Sequence, residues 1–354
     1  MAPEQRERLD ELDRLRRRLG EEVGRPVPWV GTLRRLVQAT AVESSTAIEG
    51  FSVDPGDAVA LVSGVEEAGT EDRDRMAVAC YAQAMEHVGV MAEDPGFRWN
   101  ERVILDLHFE ACRFQPEASP GLWRTGPIGV TGPDGRIVYE GPDAERVSGL
   151  MAEVAEWLEA GDLDAHPVVR AAMAHLHVVA IHPFRDGNGR VARIVQSLVL
   201  AREGLVSPAF GSIEEYLGEN TPAYYASLQK VQGGHYQPKL DAGPWIEFCI
   251  EAHTAQAQRR LDQIEEAGTC WAALERLVES RGWPERLVIA LEHSLTGGAD
   301  RKIYGEQAEV STATVSTDLR RLLDAGLVAQ RDRGRRVRYV AAESLREVVG
   351  RVTR

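Results

Sequence analysis

The sequence predicts a mainly α-helical protein that carries one isolated β-hairpin and a C-terminal winged-helix domain. Apolar residues recur three and four positions apart over most of the chain, which is the period of an amphipathic helix. Two short β-branched runs within residues 126–142 flank the turn Pro133-Asp134-Gly135, and this pattern indicates a hairpin. After about residue 268 the predicted order becomes helix, helix, turn, helix and hairpin, which is that of a winged helix-turn-helix.

Glycine and proline residues mark where the predicted helices end. The first helix carries an apolar stripe on a charged background and stops before Pro26. A second helix begins near Thr32 and stops at Gly50, a residue that suits the left-handed cap of a helix C-terminus. Further helices are predicted over 71–92, 100–114, 143–160, 167–180 and 189–203, with more from 212 to 265.

Length and composition predict several folded units. The chain has 354 residues, which is longer than one ordinary domain. Its apolar fraction of 44% excludes a largely disordered chain. Its apolar runs fall short of the ~18–20 residues of a membrane span, and its charged N-terminus lacks a secretory signal. We divide the chain into an N-terminal helical region at 1–95, a central domain at 96–267 and a winged helix-turn-helix domain at 268–354.

Charge and cysteine usage add a location and a possible contact surface. The net charge is −14, yet residues 268–354 hold 15 Lys and Arg against 12 Asp and Glu, so the acidic excess lies in the rest of the chain. The four cysteines are scattered, without the spacing of a zinc site or a disulfide framework. We therefore expect reduced thiols and a cytoplasmic protein.

The strongest motif is IHPFRDGNGRVAR at residues 181–193, between two apolar helices. Gly187-Asn188-Gly189 falls at the N-terminus of the second helix, where unpaired backbone N–H groups favour an anion such as phosphate. Arg190 and Arg193 are one helical turn apart and are expected to reach the same polyphosphate.

Two further residues of this motif have side chains suited to catalysis on a phosphate. Asp186 is a hard oxygen ligand placed to hold Mg²⁺ against the phosphates. His182 titrates near neutrality, as a general base should.

These residues match the pattern H-x-F-x-D/E-G-N-G-R-x-x-R at every fixed position, and the chain therefore resembles the Fic (Fic/Doc) family. The resemblance extends from about Asn100 to the segment 245–252. It implies a Fic-type helical core with a β-hairpin flap. It also implies transfer of AMP from ATP to a Ser, Thr or Tyr hydroxyl of a protein target.

The resemblance also implies a role for each matched position. His182 would deprotonate the target hydroxyl, Asp186 would hold Mg²⁺, and Phe184 would anchor the loop. The residues that would bind the phosphates are Gly187, Asn188, Gly189, Arg190 and Arg193. Tyr224 or Tyr225 would contact adenine, and Tyr225 is the predicted site residue. The flap that holds the target by strand addition would be formed by Arg136, Ile137, Val138 and Tyr139.

A second motif, Ser45-Thr46-Ala47-Ile48-Glu49-Gly50, resembles the inhibitory motif [S/T]-x-x-x-E-[G/N] of the same family. Ser45 and Glu49 are four residues apart and share one helix face. The resemblance implies that Glu49 pairs with Arg193 and displaces the γ-phosphate of ATP, so that the enzyme is autoinhibited. It leaves open the reverse reaction, in which Glu49 orients water to remove AMP from a modified target.

The C-terminal segment carries hydroxyl and guanidinium groups suited to DNA phosphates. The residues predicted to contact DNA are Thr314, Arg320, Arg335 and Arg336. The sequence leaves open a domain retained for dimerisation or target docking, a homodimer, and a DNA-binding regulator in which the Fic unit senses a nucleotide.

Overall fold

The computed structural model describes residues 3–64, 66–132, 135–204, 207–239, 241–333 and 336–350. The chain folds mainly into helices, joined by short loops. The helices of the N-terminal part and the centre are α1 (Pro3–Val23), α2 (Val30–Ala47), α3 (Pro55–Val62), α4 (Arg73–Glu93), α5 (Glu101–Cys112), α6 (Ala144–Ala160), α7 (Pro167–Ile181), α8 (Asn188–Arg202), α9 (Pro208–Gly211), α10 (Glu214–Glu219), α11 (Thr221–Gln232) and α12 (Gly243–Ser280).

The centre of the fold is the antiparallel pair α7 and α8, which is covered by α4, α5 and α12. Every residue of α8 from Arg190 to Ala201 is buried. A helix that is enclosed on all sides fixes the position of its own N-terminus. The loop that joins α7 to α8 contains the motif, so the packing of the core positions the candidate site.

The predicted hairpin is present and is docked on the core. Strands β1 (Gly129–Thr131) and β2 (Ile137–Glu140) are antiparallel, and the turn residues Pro133 and Asp134 lie outside the described residues. The Tyr139 hydroxyl donates to the Ala180 carbonyl at 2.5 Å. A two-stranded hairpin is marginally stable in water, so this anchor to the end of α7 holds it in place.

Helix α2 places the second motif against the core. It packs on α3, α9 and α10, and its last turn reaches α8. The helix ends at Ala47, and the chain then turns through Gly50, whose φ of 86° is the left-handed conformation expected at a helix end. Ser45 therefore lies inside α2, whereas Glu49 lies in the turn that follows it.

The C-terminal segment has a hydrophobic core of its own. After α12 it contains α13 (Leu287–Leu295), α14 (Arg301–Gln307), α15 (Thr312–Asp324), strands β3 (Val328–Arg333) and β4 (Arg336–Ala341), and α16 (Glu343–Gly350). The buried residues of this core include Leu291, Leu319 and Tyr339. The order of helices and hairpin is the one that the sequence predicts. However, the domain boundary predicted at residue 268 falls inside α12, which runs unbroken across it.

The C-terminal segment also contacts the N-terminal region directly. Arg338 on β4 donates to the Gly56 carbonyl at 3.0 Å and pairs with Glu66 at 2.5 Å. Glu66 in turn accepts from Arg75 on α4 at 2.8 Å.

Within the described part of the chain, no helix is long and apolar enough to span a membrane.

The contact of Arg338 generates a stability prediction. Arg338→Ala leaves the Gly56 carbonyl without this donor and removes one of the two cations beside the partly buried Glu66, so we expect a loss of about 1–3 kcal/mol in the free energy of unfolding. Thermal unfolding should then shift down by several degrees. The matched control is Arg320→Ala, because Arg320 is exposed on α15. Equal melting temperatures for the two variants would show that this contact does not stabilise the chain.

Candidate active site

The loop between α7 and α8 begins at His182, which ends α7 in a left-handed conformation with φ 50° and ψ 58°. This conformation is uncommon for a residue other than glycine. Arg124 fixes it by donating from Nε to the His182 carbonyl at 2.8 Å. The imidazole Nδ1 lies 3.1 Å from the Val179 carbonyl, which can only accept a hydrogen bond. Nδ1 therefore carries the proton and Nε2 carries the lone pair of a base.

Burial gives His182 the protonation state that a base requires. It lowers the pKa of the imidazole, because the charged form loses its hydration. The Val179 hydrogen bond opposes this effect, but the pKa stays below its ordinary value. The ring is therefore neutral at neutral pH.

Phe184 and Asn188 hold the loop together from the inside. Phe184 is fully buried and stacks on His108, with ring centroids 3.7 Å apart. The Asn188 side chain accepts from the Phe184 N–H and donates to the Phe184 carbonyl, both at 2.9 Å. Both ends of the Asn188 amide are therefore used within the loop, so a contact from Asn188 to a ligand would come from its backbone.

The two glycines of the motif are needed for close approach. Gly187 has a φ of 80°, and a Cβ at this position would collide with Sγ of Cys112. A Cβ on Gly189 would collide with Oε1 of Glu49. The first intrahelical hydrogen bond of α8 is donated by Val191, so the preceding N–H groups of its first turn lack helical acceptors. This helix end is thus an open, positively polarised anion site.

Asp186 projects a half-exposed carboxylate at the edge of this anion site. Its Oδ1 accepts from the Gly187 N–H at 2.6 Å, and its Oδ2 accepts from Gln115 at 3.3 Å. His108 donates from Nε2 to the Asp186 carbonyl at 3.0 Å. Among the residues that the structure describes, no three acidic, His or Cys side chains form a metal cluster. A single oriented carboxylate suits Mg²⁺ that is otherwise held by substrate phosphates and water.

Arg190 lies on the α5 side of α8 and is buried there. It donates to the Ala111 carbonyl at 3.3 Å and to Oε1 of Gln115 at 2.7 Å. Its guanidinium also stacks on Phe51 and Phe114, 5.5 Å from each ring centroid. These contacts tie the start of α8 to the end of α5, and the phosphate-binding role of Arg190 stays a prediction.

Arg193 lies one turn further along α8, where its side chain contacts the end of α2. Its Nε donates to Oγ of Ser45 at 2.7 Å, and its Nη2 donates to the Ser45 carbonyl at 3.0 Å and to Oε1 of Glu49 at 2.9 Å. Burial alone would lower the pKa of this guanidinium, but the Glu49 carboxylate more than reverses that effect. The structure thus brings together Ser45, Glu49 and Arg193, as the second motif predicts.

The Glu49 carboxylate occupies the anion site itself. Its Oε1 lies 2.4 Å from the position that a Cβ on Gly189 would take, directly beside the first turn of α8. A carboxylate is stabilised at a helix N-terminus for the same reason as a phosphate. The Glu49 carboxylate thus lies beside both the Arg193 guanidinium and the end of α8.

The predicted flap and adenine residues differ in exposure. On the hairpin, Arg136 and Ile137 are exposed, Val138 is half-buried, and Tyr139 points inward as the anchor described above. Tyr224 is buried, with its hydroxyl 2.9 Å from Nε2 of His175. Tyr225 is 48% exposed and is the tyrosine of this pair that a ligand can reach.

The predicted DNA contacts are placed unevenly. Arg320 is exposed on α15, and Thr314 is half-buried in the first turn of that helix. Arg335 lies outside the described residues, and Arg336 is described only as the first residue of β4.

Sequence reasoning missed several residues that position the site, namely Cys112, His108, Gln115 and Arg124. They lie on α5 or in the loops that follow it, far from the motif in sequence. Their signal is weak: a buried His within the apolar face of a helix reads as core until its partner is known.

Residues 98–200 match the family model described as the Fic/DOC family. Among curated relatives, the chain is 28% identical over 248 residues to "Protein adenylyltransferase fic-1" of Caenorhabditis elegans, which covers 66% of this chain and 44% of that protein. It is 45% identical over 160 residues to "Protein adenylyltransferase Fic" of Culex quinquefasciatus, covering 45% of this chain and 28% of that protein. The chain thus spans less than half the length of these relatives.

A solved structure confirms the predicted fold class. A Fic family protein from Desulfovibrio desulfuricans G20 superposes with a TM-score of 0.62 at 21% sequence identity, covering 97% of each chain. Fic-1 of C. elegans superposes with a TM-score of 0.57 at 24% identity, over 73% of this chain and 71% of that one. Residues 98–200 therefore match the Fic/DOC family model, and the fold of the chain is similar to those of solved Fic proteins.

Proposed function

We propose that the chain is a protein adenylyltransferase that Glu49 holds in an inactive state. It transfers AMP from ATP to a Ser, Thr or Tyr hydroxyl of a protein target. The observation that carries this proposal is the Glu49 carboxylate on Arg193 at the N-terminus of α8, beside a complete catalytic loop. The curated relatives are named protein adenylyltransferases, which agrees with it.

His182 is the base of the proposed reaction. The Nε2 lone pair takes the proton of the target hydroxyl, and the resulting oxygen attacks the α-phosphorus of ATP. The bond from the α-phosphorus to the bridging oxygen breaks, and pyrophosphate leaves. The Val179 hydrogen bond keeps the ring oriented while Nε2 gains the proton.

The loop and two arginines hold the phosphates. Backbone N–H groups at Gly187, Asn188 and Gly189 bind them, and Arg193 binds the γ-phosphate once Glu49 has withdrawn. Arg190 is the second proposed phosphate ligand, and its contacts to Ala111 and Gln115 orient its guanidinium. Asp186 would hold Mg²⁺, and the ion would supply positive charge to offset that of the phosphates and the leaving group.

The hairpin and Tyr225 are proposed to bind the target segment and the adenine of ATP. The exposed edge of the hairpin at Arg136 and Ile137 receives an extended segment of the target by strand addition. Tyr225 lies against the adenine. The partner is therefore a protein that presents a hydroxyl in an extended segment.

Glu49 inhibits by charge as well as by position. Its carboxylate repels the γ-phosphate and keeps Arg193 neutralised in the absence of ATP. Removal of AMP from a modified target, with Glu49 orienting a water, remains the alternative direction for the same groups.

We also propose a cytoplasmic location. Cys80, Cys112, Cys249 and Cys270 are free thiols, and the first three are buried. Free buried thiols are typical of proteins that work in a reducing compartment.

We expect Glu49→Gly to raise the modification of the chain or its target by labelled ATP at least tenfold, because Arg193 becomes available to the γ-phosphate. His182→Ala in that background should abolish the signal. Intact-mass analysis after incubation with ATP and Mg²⁺ measures the gain of one AMP unit.

The matched control for this experiment is Glu219→Gly. Glu219 is the last residue of α10, just before Asn220, and like Glu49 it pairs with an arginine. Its partner is Arg259, at 2.6 Å. If Glu49→Gly gains no more AMP than wild type or this control, Glu49 is not inhibitory. If an AMP-modified target instead loses AMP with wild type and not with Glu49→Gly, the reverse reaction is the main activity.

The pH dependence should report the buried base. A group that must be neutral to act loses activity as the pH falls through its pKa. Because burial lowers the pKa of His182, we expect the acid limb of kcat/KM for Glu49→Gly to lie below pH 6.5. An acid limb at pH 7 or above would contradict the assignment of His182 as the buried neutral base.

DNA binding by the C-terminal segment is a second proposal, supported by the exposed Arg320 on the third helix of a helix, helix, helix and hairpin arrangement. We expect the full chain to shift duplex DNA in a salt-dependent manner and Arg320→Glu to weaken it, since one phosphate contact is lost. Arg276→Glu, the same charge change at an exposed position of α12, is the control. Absent or salt-insensitive binding would favour a docking role for this segment.

A further inference from the structure

The turn that carries Glu49 also reaches the other arginine at the start of α8. Phe51 lies two residues after Glu49, and the centroid of its ring is 5.5 Å from Cζ of Arg190. Glu49 itself accepts from Nη2 of Arg193 at 2.9 Å. One short segment after α2 therefore contacts both arginines of the motif.

The ring of Phe51 is bound by charge and by apolar contacts. It meets the ring of Phe114 edge to face, with centroids 5.3 Å apart and an interplanar angle of 85°. Phe114 is buried beside Ala77 and Cys80 of α4, and Phe51 packs against this small apolar cluster. An arginine within about 6 Å of an aromatic ring is attracted to it, and edge-to-face pairs add to the packing energy. The ring thus holds the end of the turn at a defined place beside Arg190.

Backbone hydrogen bonds tie Phe51 to Glu49. The Thr46 carbonyl accepts from the Glu49 N–H at 3.0 Å and from the Phe51 N–H at 3.1 Å, and the Ala47 carbonyl accepts from the Gly50 N–H at 3.0 Å. With Gly50 in the left-handed conformation, this pattern is the Schellman cap of a helix C-terminus. Because both residues are bonded to the same carbonyl, a fixed Phe51 restricts where the Glu49 carboxylate can go.

The turn depends on the aromatic contact more than Arg190 does. Without Phe51, the Arg190 guanidinium keeps the Ala111 carbonyl, the Gln115 side chain and the ring of Phe114. Phe51, by contrast, is the residue through which the chain after Gly50 reaches the apolar cluster. Loss of its ring would therefore loosen the turn and leave Arg190 oriented.

We propose that Phe51 is a positioning residue of the inhibited state, which keeps the Glu49 carboxylate on Arg193 by anchoring the turn. This inference rests on the proposed function, in which withdrawal of Glu49 permits AMP transfer. It adds an uncharged contact to the inhibitory segment. Phe51 lies outside both sequence motifs.

The test is Phe51→Ala in the otherwise native chain. We expect the gain of AMP from ATP and Mg²⁺, measured by intact mass, to rise about three- to tenfold, because Glu49 is retained but held less firmly. In the Glu49→Gly background the same substitution should change the gain less than about twofold, since the turn no longer carries a charge to place.

Two results of this test would overturn the proposal. One is an unchanged or lower gain of AMP in the otherwise native chain. The other is a loss of ATP affinity in both backgrounds, measured by calorimetric titration, which would assign Phe51 to the orientation of Arg190 for phosphate.

The matched control is Val53→Ala. Val53 is also a half-buried apolar residue of the segment between α2 and α3, and it packs against the main core. This variant should gain AMP as the native chain does, and thermal unfolding checks that both variants are folded. Equal activation by Val53→Ala and Phe51→Ala would show that any loosening of the segment relieves inhibition, and it would overturn the specific role of Phe51.

Hydrogen exchange of the turn needs no nucleotide. The N–H groups of Glu49 and Gly50 are hydrogen-bonded in the turn, so their exchange with water should speed up about tenfold on Phe51→Ala and stay unchanged on Val53→Ala. Unchanged exchange on Phe51→Ala would overturn the anchoring role. If Glu49→Gly gains no AMP, the proposed function fails, while the exchange result still decides whether Phe51 holds the turn.

Discussion

The site depends on one buried cation, the Arg193 guanidinium on α8. Because α8 is enclosed by other helices, this side chain cannot reach water and must be satisfied by neighbours. Ser45 supplies two oxygen acceptors, and Glu49 supplies the charge. In the proposed function a phosphate oxygen of ATP would replace Glu49, since it offers Arg193 an equivalent anion.

The position of Glu49 makes the proposed inhibition compatible with an intact site. Glu49 lies beyond the end of α2, whereas Ser45 lies within it. A movement confined to the turn at residues 48–50 would release Glu49 and leave the Ser45 contacts to Arg193 unchanged. Gly50 takes the left-handed conformation directly after Glu49, whereas Ser45 is held within the packed helix α2.

The sequence predicts the chemistry of the site better than its scaffold. The motif names the loop, and the second motif names Ser45 and Glu49, because these are local patterns. The contacts of Arg190 with Phe51 and Phe114 join segments far apart in the chain, which periodicity cannot pair. The unbroken helix α12 is a second case. A glycine inside a helix costs about 1 kcal/mol, so Gly268 favours a helix end at the predicted domain boundary. In the fold, Gly268 faces Trp29, and a Cβ there would lie 3.4 Å from that ring.

The central claim is that one guanidinium serves both the inhibitory carboxylate and the nucleotide. A double-mutant cycle on ATP affinity tests it most directly, with Glu49→Gly measured in the native chain and in Arg193→Gln. If the claim holds, Glu49→Gly tightens ATP binding at least tenfold in the native chain and leaves it unchanged in Arg193→Gln. In the second background the guanidinium for which Glu49 and ATP compete is absent. An equal gain in both backgrounds would contradict the claim.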